Sequence, residues 1–172
     1  MGARVLAIDC ATEACSAALF EGDALLNARY EVIGRGHAER LVPLIAELPD
    51  KGRAERILVS LGPGSFTGVR IGLAAARALG LAWRAEVRGY PTLALVAAMA
   101  RGAHRGPVTV CMNGGHGEWF VQDFAADGLP QAPLASLTPG RAAARGAQET
   151  IAGSQAEALG ALRGGNRTAL AL

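Results

Sequence analysis

A chain of 172 residues with 51% hydrophobic side chains can bury a real core and predicts one domain or two small lobes. Its formal charge of +2 comes from scattered arginines and the single Lys51, and aromatics make up only 5%, which argues against the basic, aromatic-interleaved surface of a free-standing nucleic-acid binder. Arg70, Arg77 and Arg84 punctuate the longest apolar stretch, which excludes a spanning helix there. The start runs from Met1-Gly2-Ala3-Arg4 straight into a strand holding Asp9, and Leu6 spoils a myristoylation pattern, so the cytoplasm is the expected compartment. Cys10, Cys15 and Cys111 are odd in number and lack Cys-x-x-Cys spacing, which argues against a disulfide framework and zinc and for buried reduced thiols.

Residues 4–10 form an apolar run with β-branched members, short enough for a buried strand, and residues 11–14 turn the chain. Residues 15–21 and 24–32 read as two further strands joined at Glu21-Gly22-Asp23, an antiparallel meander. Gly34-Arg35-Gly36 breaks it and leads to a helix over about 37–48, with Leu41, Leu44, Ile45 and Leu48 on one face. Pro43 removes the bond to the Glu39 carbonyl, which predicts a kink or a helix that starts near Leu41. His37 has no zincin-like partner on that helix, and His104 and His116 are far along the chain, so a local hydrogen bond at the helix start is expected.

Residues 49–53 are a turn and 55–61 a strand. From Gly62 to Leu73 the chain reads Gly-Pro-Gly-Ser-Phe-Thr-Gly-Val-Arg-Ile-Gly-Leu, a strand, tight turn and helix. Pro63 presets the turn, Gly62 and Gly64 open backbone angles closed to other residues, and Ser65 is placed to cap the helix. A helix N-terminus attracts anions, which makes Gly64, Ser65, Phe66, Thr67 and Gly68, with Asp9 nearby in the scheme and Arg70 one turn in, candidates for anion or nucleotide contact. Neither phosphate-loop pattern fits. A P-loop needs Lys-Ser or Lys-Thr after its last glycine, the dinucleotide fingerprint needs glycine where Thr67 stands, and spacing alone favours a plain strand-to-helix connection.

The helix over 66–83 carries Gly68, Gly72 and Ala76 at four-residue intervals, a small-residue row that admits another helix from this chain or a partner. Arg70 and Arg77 fall nearly on one face. Residues 86–89 form a short strand and 92–101 an apolar helix led by Pro91. A first lobe over 1–106 is followed by a second over 107–172, with a strand at 108–112, a flexible turn at 113–117 and a return strand at 118–125. Residues 126–139 read as loop-rich, 141–147 and 155–162 as short helices, and the apolar end at 168–172 as a shortened second lobe or an incomplete chain.

The run from Gly62, with Leu6-Ala7-Ile8-Asp9 before it and Gly34-Arg35-Gly36-His37-Ala38-Glu39-Arg40-Leu41 between, resembles the bacterial TsaB (YeaZ) family over residues 4 to about 92 and more loosely beyond. The resemblance implies a two-lobed α/β actin-like ATPase (ASKHA, ribonuclease H-like) fold. It also implies a part in making threonylcarbamoyladenosine beside the anticodon of certain tRNAs, as a non-catalytic partner of the paralogue TsaD, which does the transfer chemistry, with the small ATPase TsaE joining. On that footing tRNA is met only through the complex, no membrane is involved, a homodimer in isolation is open, and ATP or ADP belongs at the partner interface rather than on the chain alone. In active ATPases of this fold the first strand ends at an aspartate followed by a glycine-rich turn. Asp9 stands there, but Cys10-Ala11-Thr12 lacks the glycine, so Asp9 is expected to cap its own turn. TsaD-type sequences carry a His-x-x-x-His metal pair, and the matching positions are Thr92 and Val96, neither a usual ligand. Where the family has an Asp-Ala-Arg-like turn, this chain has Asn113-Gly114-Gly115.

Three functions compete. A scaffold would dock through the helices at 37–48 and 66–83, with His37, Leu41, Leu44, Ile45, Gly68, Arg70, Gly72, Leu73, Ala76 and Arg77 at the interface and no catalytic residue or metal. A small actin-like ATPase or phosphotransferase would use Asp9 and the turn at 62–68. A glycoprotease-like hydrolase of the wider superfamily would need a nucleophile and base, and Ser65, Cys10, Cys15 and Cys111 have no histidine partner visible in sequence. The missing glycine and the absent metal pair favour the scaffold.

Overall fold

The computed structural model describes residues 2–145, 148–165 and 167–170. Two compact units divide the chain, Met1–Pro91 and Thr92–Leu172.

In the first unit three strands, β1 (Arg4–Asp9), β2 (Ala14–Glu21) and β3 (Ala24–Val32), form the meander expected from the apolar run and the Glu21-Gly22-Asp23 turn. They are followed by α1 (His37–Ala46), β4 (Arg56–Ser60), α2 (Phe66–Trp83) and β5 (Glu86–Tyr90). The sheet order is β3-β2-β1-β4-β5, with β1 antiparallel to β2 and parallel to β4, and β4 parallel to β5. This is the strand order expected of an actin-like, ribonuclease H-like lobe. Period-two alternation turns Leu6, Ile8, Ala17, Leu19, Ile57 and Val59 to one face, where Leu41, Leu44 and Ile45 of α1 and Ala76 of α2 close the core. Helix α1 begins at His37, not near Leu41, and keeps Pro43 inside. Gly36, at φ 92°, starts the helix in a left-handed conformation, and Glu39 and Pro43 both face solvent, so the carbonyl that Pro43 leaves unbonded lies within reach of water.

The second unit holds α3 (Thr92–Ala100), β6 (Val108–Gly115), β7 (Glu118–Phe124), β8 (Ala135–Leu137), α4 (Pro139–Ala144), β9 (Thr150–Ala152), α5 (Ala156–Arg163) and β10 (Thr168–Leu170). They build a second five-stranded sheet in the order β10-β9-β6-β7-β8. Both faces of β6 are covered: Val108, Val110 and Met112 pack with Leu93, Val96 and Phe124, while Cys111 packs with Val121, Ile151 and Leu159. The flexible turn expected at 113–117 is mostly strand, because Asn113 Oδ1 accepts the Gly115 N–H at 3.0 Å and the reversal narrows to His116 and Gly117. The stretch expected to be loop-rich contains β8, paired antiparallel to β7, and the apolar tail supplies β10, paired parallel to β9. Gly146, Ala147, Ala171 and Leu172 of the expected elements lie outside the described residues. Among the described residues no helix is long and apolar enough to cross a membrane.

Candidate functional site

The end of β1, the turn after β4 and the first turn of α2 meet in one corner of the first unit. Asp9 Oδ1 accepts the Ala11 N–H at 2.8 Å, so the carboxylate caps its own turn. The Tyr90 hydroxyl, at the end of β5, lies 3.0 Å from Asp9 Oδ2 and 3.1 Å from the Ile8 carbonyl. Its single proton serves one acceptor at a time, and the ionised carboxylate is the stronger of the two. Burial pushes the Asp9 carboxyl above the usual carboxylate range, and hydrogen bonds from Ala11, Tyr90 and Ser60 pull it part of the way back. Burial, with the Asp9 charge beside it, raises the Tyr90 phenol strongly. Sequence reasoning finds Asp9 and misses Tyr90 and Ser60. The parallel register of β4 and β5, which pairs Ser60 with Tyr90, is what brings them there.

The glycines of the turn are consumed by the chain's own backbone. A Cβ on Gly64 would stand 2.1 Å from the Ala11 carbonyl oxygen, and one on Gly68 would stand 1.9 Å from the Cys10 carbonyl oxygen. The Ser65 N–H donates to Ala11 O at 2.7 Å, and the Ser65 hydroxyl accepts from the Gly68 N–H at 3.2 Å. The close approach that phosphate loops reserve for a ligand is here made by Cys10 and Ala11, in the turn that follows β1. Arg70 does not reach into the turn. Its guanidinium lies over the Phe66 ring, 3.4 Å from the centroid, on the outer side of α2, and Phe66 and Thr67 are exposed.

The residues singled out for docking divide by burial. His37, Leu41, Leu44, Ile45, Gly68, Gly72 and Ala76 are buried within their own unit. The small-residue row therefore seats α2 on its own sheet: a Cβ on Gly72 would touch Val59 and Ile8 at 3.5 and 3.9 Å. His37 makes no local bond. Its Nε2 donates toward the carbonyls of Thr12 and Ala14 at 3.0 and 3.2 Å, tying α1 to the start of β2. Leu73 is half-buried against the core, while Arg70 and Arg77 are exposed. They share the outer face of α2 with Phe66, Ala74 and Leu81, and Phe66 and Leu81 are 69% and 84% exposed. The outward apolar residues of α2 carry no periodic mark that separates them from core residues, because apolar residues stand on every side of the helix, with Arg70 and Arg77 among them on the outer one. In the second unit, Thr92 and Val96 of α3 are both buried.

The family model described as TsaD: tRNA N6-adenosine threonylcarbamoyltransferase matches residues 30–129. The chain is 43% identical over 107 residues to the tRNA threonylcarbamoyladenosine biosynthesis protein TsaB of Escherichia coli (strain K12), covering 59% of this chain and 45% of that one. It is 38% identical over 104 residues to the protein of the same name from Haemophilus influenzae, covering 58% and 42%. The matched stretch thus spans about half the length of these relatives. Among solved structures, an uncharacterized protein with similarity to peptidase YEAZ from Pseudomonas aeruginosa superposes with a TM-score of 0.82 at 30% identity, over 100% of this chain and 85% of that one. YeaZ from Pseudomonas aeruginosa follows at a TM-score of 0.75 and 30% identity, over 88% and 76%.

Proposed function

We propose a function from the premise that this chain belongs to the TsaB (YeaZ) family. It acts as a non-catalytic subunit in the formation of threonylcarbamoyladenosine beside the tRNA anticodon, docking onto a TsaD-type paralogue and holding it in its active form. The observation that carries this reading is the pairing of two opposite faces on α2. One face, Gly68, Gly72, Ala76 and Gly80, is spent on the chain's own sheet. The other presents Phe66, Arg70, Ala74, Arg77 and Leu81 to solvent, the mixture of apolar and arginine side chains that protein interfaces concentrate. Val42, 55% exposed, adds an apolar residue on α1, which packs beside α2.

The same proposal includes ATP or ADP as a co-ligand at the partner interface, a TsaE-type ATPase as a third member, tRNA reached only through the assembly, a homodimer when the partner is absent, and a place in the cytoplasm. The enzymatic alternative, ATP turnover through Asp9, meets a corner whose close approaches are filled by the Ala11 and Cys10 carbonyls.

Size exclusion with light scattering, on the chain alone and mixed with the TsaD-type protein of the same genome, with and without ADP, tests the reading. The wild-type chain is expected to form a mixed complex. Ala74→Arg, on the exposed face of a helix that tolerates arginine, is expected to abolish it with an unchanged melting curve. Asp9→Asn is expected to leave it intact. Gly72→Arg is unsuitable, because Gly72 is buried and the substitution would report on folding. Full binding by Ala74→Arg would remove this face from the interface, and ATP hydrolysis by the pure chain that Asp9→Asn abolishes would restore the enzymatic alternative.

A further inference from the structure

Cys10 follows the last residue of β1, and Cys15 is the second residue of β2. The β1–β2 register pairs Asp9 with Ser16, which makes Cys10 and Cys15 the next opposed positions at the mouth of the hairpin turn. Both side chains are buried in the first core, and their sulfurs lie 3.8 Å apart. Cys10 is also part of the floor beneath α2. Its carbonyl oxygen occupies the place of a Gly68 Cβ, and its own Cβ would meet a Cβ on Gly72 at 3.8 Å. Cys111 is buried too, but belongs to the other unit.

We propose that Cys10 and Cys15 form a reversible disulfide, closed by exchange with a small-molecule disulfide such as oxidised glutathione, and that closure reshapes the floor on which α2 sits. One protein thiolate attacks a glutathione sulfur, forming a mixed disulfide and releasing one glutathione thiolate. The second protein thiolate then attacks the protein sulfur of that mixed disulfide and expels the second glutathione. The two protein thiols are oxidised, one glutathione disulfide is reduced to two thiols, and the two thiol protons pass to the departing thiolates.

Directly opposed residues on antiparallel strands have Cβ atoms about 4.5–5.5 Å apart, and a disulfide needs about 3.5–4.5 Å, so closure asks for a small shift at the strand end. Burial raises both thiols above the ordinary range, so the first attack waits for a local opening of the hairpin mouth. Once a mixed disulfide stands on one cysteine, the other is its nearest thiol, and ring closure outruns attack by a thiol from solution. Cys111, with burial pushing its thiol up to about 12, is the one cysteine of its own unit and serves as the internal control.

The native chain is incubated with oxidised glutathione, alkylated without reduction, and read by intact mass and peptide mapping. Two of the three thiols are expected to be lost as a single bridge, with the peptide spanning residues 5–29 two hydrogens lighter and free of alkyl groups, and Cys111 alkylated. Dithiothreitol is expected to restore all three, and Cys15→Ala to form no bridge. Hydrogen exchange in the first turns of α2 is expected to differ at least about twofold between bridged and reduced chains. Three free thiols in the native chain, where the urea-unfolded chain is oxidised in the same buffer, would overturn the proposal and leave two packed core thiols. So would a glutathione adduct that persists on Cys10 or Cys15, or a bridged chain whose α2 exchange matches the reduced one.

Discussion

Asp9 is tied into the fold through both of its carboxylate oxygens. Its carboxylate is held by its own turn and by Tyr90, which lies 81 residues further along the chain. A carboxyl raised by burial takes up a proton in the folded chain that the unfolded chain has already given up. Its contribution therefore favours folding least at neutral pH, and stability gains from this group as pH falls from its raised folded value toward about 4, the unfolded value. Tyr90→Phe removes a donor to the charged form. The expected loss at pH 7 is about 1.5–3 kcal/mol, the range for a hydrogen bond to a charged group, and Asp9 rises further. Near pH 4 the loss should shrink, because a neutral carboxyl has less need of the donor. Urea midpoints of wild type and variant at both pH values decide it, and a loss equal at the two would mean that Tyr90 acts through packing alone.

Helix α2 is where sequence and structure agree on extent and part on orientation. Its limits follow from local chemistry, with turn residues before it and Ser65 capping it, and the observed Phe66–Trp83 matches the expected span. Its small-residue row is visible in sequence as well, but whether that row faces a partner or the helix's own sheet depends on contacts with β1 and β4, far away in sequence. The same limit hides the carbonyl partners of His37 and the three-residue strands β8, β9 and β10, too short to show a period. Two alanine substitutions one turn apart test the orientation. Helix propensity alone predicts that both stabilise, by up to about 1 kcal/mol. At Gly72 the new methyl meets side chains no nearer than 3.5 Å, so Gly72→Ala should keep that gain. At Gly68 it lands 1.9 Å from the Cys10 carbonyl oxygen, a backbone atom that cannot turn aside, so Gly68→Ala should destabilise by about 1–3 kcal/mol or more. Thermal melts with the same sign for both would mean that α2 does not sit on β1 as described.

At the scale of the whole chain, charge decides what can be met without a partner. The first unit spends arginines on its own carboxylates: Arg4 on Glu21 and Asp50, Arg29 and Arg40 on Glu47, Arg40 on Glu31, and Arg56 and Arg88 on Glu86. Exposed pairs of this kind add little stability, but they cancel the field that a polyanion would follow. A formal charge of +2 and 5% aromatics offer little from which to build a phosphate track or a row of stacking platforms. Fluorescence anisotropy with labelled tRNA should therefore find the chain alone binding no tighter than about 10 μM at about 0.15 M salt, within the non-specific range. Addition of the TsaD-type partner should tighten binding, and Ala74→Arg should remove that gain because it removes the complex. Submicromolar binding by the chain alone at that salt would place the tRNA contact on this chain, and the scaffold would then have to be redrawn as a subunit that presents tRNA as well as supporting its partner.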